Sequence, residues 1–370
     1  MRKGRDGRTL RIARLSQKLQ GKRLARTLIS ADGRPLLVAG TVLTSSFIRR
    51  LAAKGYRFVY VDDCISEGIE SDDIMDDVTR MRALSAVHEA LQSAAERRSI
   101  DPQRISETVE DLIHCIESSN GVVKSLITIR SLDEYTFMHS LNVCVLSLIV
   151  ATAMGISRED RISLGVGALL HDVGKVVVPL EILNKPRELS VEEMAIVKVH
   201  TLEGFEILRS QPGISLLSAH VAFQHHERMD GQGYPRGLRG QEIHLFARIA
   251  AAADVMDALT AGRPYRDAFT AADAAKTLRS MAGDHLDAEC VSTLVSRVAH
   301  YPAGTLVRLS TGDLAIVARQ APSDPSRPVV HVIGSTPSAD ARTGTLYELD
   351  LSAVHGVSIT EALGDFPPVP

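Results

Sequence analysis

The sequence predicts a mainly α protein: an all-helical bundle with a small mixed β-rich module before it and a small β appendage after it. Three observations predict this. From 121 to 300 the chain reads as apolar helical runs broken at Gly155, 184–186 (NKP), 211–213 (QPG), 231–240 and 262–264 (GRP). Ahead of that block, Ile74, Val78, Met81, Leu84, Val87 and Leu91 recur every three or four residues, the spacing of one helical stripe. Behind it, 306–309, 314–318, 329–333 and 346–349 are short β-like runs separated by Gly, Asp, Ser and Pro. The predicted domains are therefore 1–70, 71–120, 121–305 and 306–370.

In the first module, 31–34 (ADGR) is a turn signal between extended runs, and 36–38 is followed by a break at Gly40. Thr44 is positioned to cap a short helix through Leu51 and Ala52, Gly55 ends it, and 58–61 alternates like a strand. This reads as a regulatory or docking module, with Asp62 and Asp63 at a solvated strand end; it lacks the acidic pocket and lysine of a phosphoacceptor domain. A second helix follows Asp101-Pro102, with Ile105, Val109, Leu112, Ile113 and Ile116 as its stripe. The helical segment 71–120 is expected to connect modules or to pair with a second copy of the chain in a homodimer. No internal repeat is present.

Bulk composition narrows the function classes. The chain is 45% hydrophobic and 24% charged with a formal net charge of −3, so it carries no overall field for polyanions. Residues 1–26 hold ten Lys/Arg against one acid, Asp6. With no aromatic residues interleaved to stack bases, they read as a solvated arm, and no nucleic-acid polymer is expected as a partner. No apolar core of a signal peptide follows the arm. The longest apolar run, 141–154, contains Asn142 and reads as too short to cross a bilayer, so no membrane is expected. Cys64, Cys115, Cys144 and Cys290 lack CxxC spacing, which fits reduced thiols in a cytoplasmic protein.

The informative feature is the clustering of the 13 His. His171-Asp172 follows the apolar run 166–170; on a helix such neighbours point about 100° apart, so one metal takes both only over their shared edge. Alone, the pair reads better as a satisfied buried contact. However, His139 opens an apolar helix at 138–154, His200 ends one at 191–199, and His225-His226 close another at 216–224. Asp254 lies within the apolar run 245–259. Burying five imidazoles and two carboxylates without a cation would require many compensating hydrogen bonds. Nitrogen and carboxylate donors without thiolates suit Fe, Mn, Zn, Co or Ni. Seven ligands exceed one open catalytic metal, so two ions bridged by a carboxylate such as Asp172 are expected. Ions about 3.5–4 Å apart lower the pKa of a bridging water and neutralise an attacked phosphate. Lys175 reads equally as a phosphate donor or as a surface lysine.

The motifs HDVGK (171–175), HHERMDGQGYP (225–235) and ADVMDALTAGRPYR (253–266) together resemble the HD-GYP domain, a branch of the HD metal-dependent phosphohydrolases. The stretches 135–143, 182–193 and 198–208 are similar as well, and the resemblance covers about 121–305. It implies an HD-type helical bundle that hydrolyses cyclic di-GMP to pGpG and onward to GMP through a hydroxide between two metals, Fe or Mn foremost. The implied ligands are His139, His171, Asp172, His200, His225, His226 and Asp254, with His171, Asp172 and Lys175 as the catalytic set. Substrate contacts are implied at Asp133, Asp257, Arg263 and Arg266, and at Gly233, Tyr234 and Pro235, whose loop is also a surface for partner proteins. Glu227 and Asp230 are expected to orient His225 or His226. Members with a third metal carry glutamate four residues before the first histidine; here Tyr135 stands there and Glu134 is one residue off, so a dinuclear site is expected. The alternatives are a non-catalytic cyclic di-GMP sensor, or a phosphodiesterase for another cyclic dinucleotide such as cyclic GMP-AMP.

Overall fold

In a computed structural model, the described residues are 10–62, 66, 68–69, 73–119, 135–185, 187–260, 270–321, 324–334 and 347–363. The first module comprises β1 (Arg11–Arg14), β2 (Arg23–Leu24), β3 (Leu28–Ile29), β4 (Pro35–Leu37), α1 (Ser45–Ala53) and β5 (Phe58–Asp62). An antiparallel sheet of order β1-β5-β2, with Arg11 opposite Val61 and Arg14 opposite Phe58, packs against α1 through Ile48, Leu51, Val59 and Val61. The capping signal at Thr44 is met, since its hydroxyl accepts from Phe47 N at 3.2 Å. Gly55, just past the helix, takes φ +84°, a conformation that favours glycine.

Next come α2 (Asp77–Ala95) and α3 (Pro102–Ser118), capped by Asp76 and Asp101. In α3 the buried face includes the whole expected stripe. In α2 it is rotated: Ala83, Leu84, Ala86, Val87, Ala90 and Ala94 are buried, while Val78 is 50% exposed. The opposite side of α2 is approached by the first module, where a side chain on Gly33 would reach within 2.4 Å of Met81 O. Both buried faces belong to one core with the helices that follow, so 71–120 packs as part of the bundle. Of the stripe expected on α2, Leu84 and Val87 are buried within the chain and Val78 is exposed.

The bundle continues with α4 (Tyr135–Ala153), α5 (Arg158–Leu169), α6 (Leu180–Leu183), α7 (Val191–Arg209), α8 (Leu216–Gln224), α9 (Leu245–Thr260), α10 (Ala271–Met281) and α11 (Ala288–Arg297). Ser190 and Glu193 form a reciprocal capping box on α7. Among the described residues, one helix is long and apolar enough to cross a membrane, Thr136–Ala153 in α4, because the helix starts upstream of the run expected to be too short. It is 78% buried within the protein, packed between α5 and α9. α5 meets α8 at Gly167, where a Cβ would stand 2.7 Å from both Ser218 O and Val221 Cγ2.

The appendage is a five-stranded antiparallel sheet of β6 (Leu306–Leu309), β7 (Leu314–Arg319), β8 (Val329–Gly334), β9 (Tyr347–Asp350) and β10 (Ile359–Leu363), in the order β10-β6-β7-β8-β9. The sequence signalled four of these strands. β10 lacks a signal because it is an edge strand with exposed Thr360 and Glu361 and no clear alternation.

Gly167→Ala is expected to force α5 away from α8 and destabilise the protein by about 1–3 kcal/mol, the usual range for overpacking. Urea unfolding measures this, and an unchanged midpoint would contradict the packing described.

Candidate metal centre

Four helices and one turn bring the seven expected ligands together. α4 supplies His139, and α9 supplies Asp254. His171 and Asp172 do not lie on a helix as the sequence suggested; α5 stops at Leu169 and the pair occupies the turn before a short 3-10 segment, Val173–Val177. That turn is pressed onto α7, since a Cβ on Gly174 would lie 2.0 Å from His200 O and 2.5 Å from Gly204 N. α7 continues past His200 to Arg209 instead of ending there. His225 caps the C-terminus of α8, as expected, and His226 follows it.

The potential ligand atoms form two groups, Asp172 with His200, His225 and His226, and His139 with His171 and Asp254. Asp172 stands between them. Its Oδ2 lies 3.4 Å from His171 Nε2 and 3.7 Å from His139 Nε2, while its Oδ1 lies 3.5 Å from His200 Nε2 and 3.8 Å from His225 Nε2. Asp254 Oδ1 is 3.2 Å from His139 Nε2. Buried Asp172 Oδ1 and His171 Nε2 have no hydrogen-bond partner among the described residues. Leaving such atoms unpaired costs about 1–3 kcal/mol each, more for a charged group, so the donor set fits bound cations. Both groups consist of carboxylate oxygens and imidazole nitrogens, the donors of divalent transition metals.

Electrostatics keep these side chains in their ligating forms. Burial pushes the Asp172 carboxyl up, but Lys175, His171 and His200 together hold it well below the usual range. Asp254 likewise falls below its ordinary value, burial being outweighed chiefly by His139. Burial pushes His200 and His225 down and takes His226 to about 3, so all three stay neutral.

Ring orientation is fixed from behind. Nδ1 of His171 donates to Ala168 O at 2.8 Å, that of His200 to Val197 O at 2.6 Å, and that of His225 to Ala222 O at 2.9 Å. Each Nε2 is thereby turned to the cluster with its lone pair. His139 differs, since its Nδ1 donates to Asp257 Oδ2 at 2.8 Å, and Asp257 Oδ1 accepts from Asn142 Nδ2 at 2.8 Å. Asp257, assigned above to substrate, is only 2% exposed and lies behind a ligand. One turn beyond Asp254, its side chain faces α4 inside the bundle.

The loop after His226 forms the rim. Tyr234 stacks on His226 with centroids 4.7 Å apart and interplanar angle 29°, and Lys198 Nζ lies 4.8 Å from the centre of the Tyr234 ring. Gly233 is required, because a Cβ would approach Glu227 Cα to 2.5 Å and Arg228 N to 2.4 Å. Glu227 and Asp230 do not orient the histidines as expected. Buried Glu227 accepts from Arg236 N at 2.8 Å and Leu238 N at 2.9 Å, and Asp230 accepts from Arg228 and from Gln232 N. Both carboxylates tie the loop to itself. Pro235 is exposed on it, joined to Tyr234 by a cis peptide. Asp133, Glu134, Arg263, Arg266 and the side chain of Tyr135 lie outside the described residues.

Asn142, Gly174, Gly204 and Lys198 were not singled out by sequence reasoning. Asn142 had a usable signal, being a polar residue inside an apolar run and three positions after His139 on the same helical face. The glycines and Lys198 act through contacts between distant segments, for which a single sequence carries no signal.

The HD domain family matches residues 123–290. Cyclic di-GMP phosphodiesterase PA4108 of Pseudomonas aeruginosa is 37% identical over 239 residues, 65% of this chain and 58% of that protein. The cyclic di-GMP phosphodiesterase response regulator RpfG of Xanthomonas campestris is 36% identical over 58% of this chain and 53% of its own length. A 3'3'-cGAMP-specific phosphodiesterase, number 3, of Vibrio cholerae is 38% identical over 49% of this chain and 38% of its own. The chain thus spans a little over half the length of the first two. Among solved structures, Bd1817, an HDG"Y"P protein from Bdellovibrio bacteriovorus, superposes with TM-score 0.52 over 77% of this chain and 98% of that one at 21% identity, which shows a shared fold.

Glu227→Ala removes the acceptor of the Arg236 and Leu238 amides and is expected to destabilise the rim by roughly 1.5–3 kcal/mol per lost hydrogen bond to the carboxylate. Limited proteolysis should then cut within 228–238, and wild-type resistance there would contradict the assigned role. The paired donor groups lie within the segment 123–290 that matches the HD domain family, and the HD and GYP motifs and the relatives agree with that match.

Proposed function

We propose that the protein is a metal-dependent phosphodiesterase that hydrolyses cyclic di-GMP to pGpG. The observation that carries this reading is the placement of Asp172, whose two carboxylate oxygens face different groups of imidazoles. The seven ligands would hold two ions, one per group. A nitrogen and oxygen donor set without thiolate suits Fe, Mn, Zn, Co or Ni, and the resemblance to HD-GYP phosphohydrolases puts Fe and Mn first. When bound, such ions would polarise a phosphate oxygen and lower the pKa of a water at the site.

The chain's own residues supply binding and charge. Lys175 pairs with Asp172 and is 32% exposed, so its ammonium borders both the ligand set and solvent. There it would donate to a non-bridging phosphate oxygen and stabilise charge developing on phosphorus. Tyr234 forms a flat wall against His226, and burial raises its phenol above the ordinary value, keeping it neutral. Asp133, Arg263 and Arg266 are assigned to substrate on their motif positions, the two guanidiniums suiting bidentate phosphate contacts. Exposed Pro235 and Arg236 on the Glu227-anchored loop offer a surface for partner proteins. Free thiols at Cys115, Cys144 and Cys290 fit a reducing, cytoplasmic setting.

A second reading, hydrolysis of cyclic GMP-AMP, is favoured by relatives of Vibrio cholerae named for that activity at 38%, 36% and 32% identity. Manganese- or iron-loaded protein incubated with each dinucleotide, with products separated by chromatography, tests both. Conversion of cyclic di-GMP to pGpG is expected, with Asp172→Ala lowering the rate more than about 100-fold. Turnover of cyclic GMP-AMP alone would establish the second reading. Binding without turnover of either would overturn both in favour of a sensor.

A further inference from the structure

The ligands are not all held in the same way. His171, His200 and His225 each anchor Nδ1 on a backbone carbonyl three residues earlier. Those anchors are local, neutral, and fixed by the geometry of a single turn. His139 is anchored on a carboxylate that arrives from another helix, 118 residues along the chain. That carboxylate in turn accepts from Asn142, which stands one turn after His139 on α4. Asn142, Asp257 and His139 are all buried, at 5%, 2% and 4% exposure, in the contact between α4 and α9.

We propose that Asn142 and Asp257 are positioning residues that govern one half of the metal centre, the His139–His171–Asp254 group, and leave the other half largely untouched. The inference rests on the metal-binding reading above. α9 contributes twice to this half, presenting Asp254 as ligand and, one turn later, Asp257 as the orienter of His139. An anionic acceptor behind an imidazole fixes its tautomer and strengthens it as a donor more than a neutral carbonyl does. Asn142 restrains the Asp257 carboxylate by donating to Oδ1, the oxygen that His139 leaves free. The four residues of the other group touch neither Asn142 nor Asp257 through any of their described hydrogen bonds. The two halves are therefore expected to differ in affinity and to respond differently to changes at Asn142.

Cobalt titration followed by absorption, with metal content measured by mass spectrometry after dialysis, tests this without reference to turnover. The wild type is expected to bind two equivalents. In Asn142→Ala and Asp257→Asn, one equivalent is expected to weaken about 10–100-fold while the other keeps its affinity and spectrum. Asp257→Asn keeps the shape of the side chain and guards against simple misfolding, and thermal unfolding of the metal-free proteins reports any general loss of structure. Equal weakening of both equivalents, or unchanged binding of both, overturns the relay. A wild type that binds no metal overturns the functional reading itself, so the two failures are distinguishable.

Discussion

The structure depends on one arrangement: a carboxylate, Asp172, held at the centre of a helical bundle with imidazoles on both sides. An ion in that position is costly to bury unless opposite charge and hydrogen bonds compensate. Lys175 compensates in part from the solvent side. The remaining demand falls on the cluster itself, where an oxygen of Asp172 and a nitrogen of His171 have no hydrogen-bond partner among the described residues. Cations satisfy such a site, and proteins that need cations there must present them with neutral imidazoles. Burial of His200, His225 and His226 does so.

Much of the surrounding packing can be understood from that requirement. The turn carrying Asp172 reaches α7 only because Gly174 and Gly204 allow backbone to meet backbone. α4 can be almost wholly apolar and still carry His139, because Asn142 and Asp257 satisfy the polar end of that imidazole. The Tyr234 loop covers His226 because Gly233 fits over Glu227, whose carboxylate then grips the loop's own amides. Small residues set the distances and buried carboxylates set the orientations.

The seven candidate ligands that the two donor groups bring together stood out in the sequence because most of them interrupt an apolar stretch, and the order of motifs supplied the resemblance. The layout of helical and β segments was legible for the same reason, through periodicity. What could not be read were facing directions. Asp257 sits one helical turn from Asp254, yet whether it faces substrate or α4 depends on how α9 packs, which periodicity does not encode. Glu227 lies two residues from His225 but turns toward backbone amides nine and eleven residues later, a partnership fixed by loop closure. On α2 the buried face runs through Ala83, Ala86 and Ala90 and leaves Val78 exposed, because alanine, a weak periodicity signal, is what close packing selects.

The most direct test of the central role of Asp172 is a crystal structure of metal-loaded protein with anomalous difference maps recorded at the metal's absorption edge. Two peaks are expected about 3.5–4 Å apart, one on each side of the Asp172 carboxylate. A single peak, or two peaks that Asp172 does not join, would contradict the arrangement on which everything above is built.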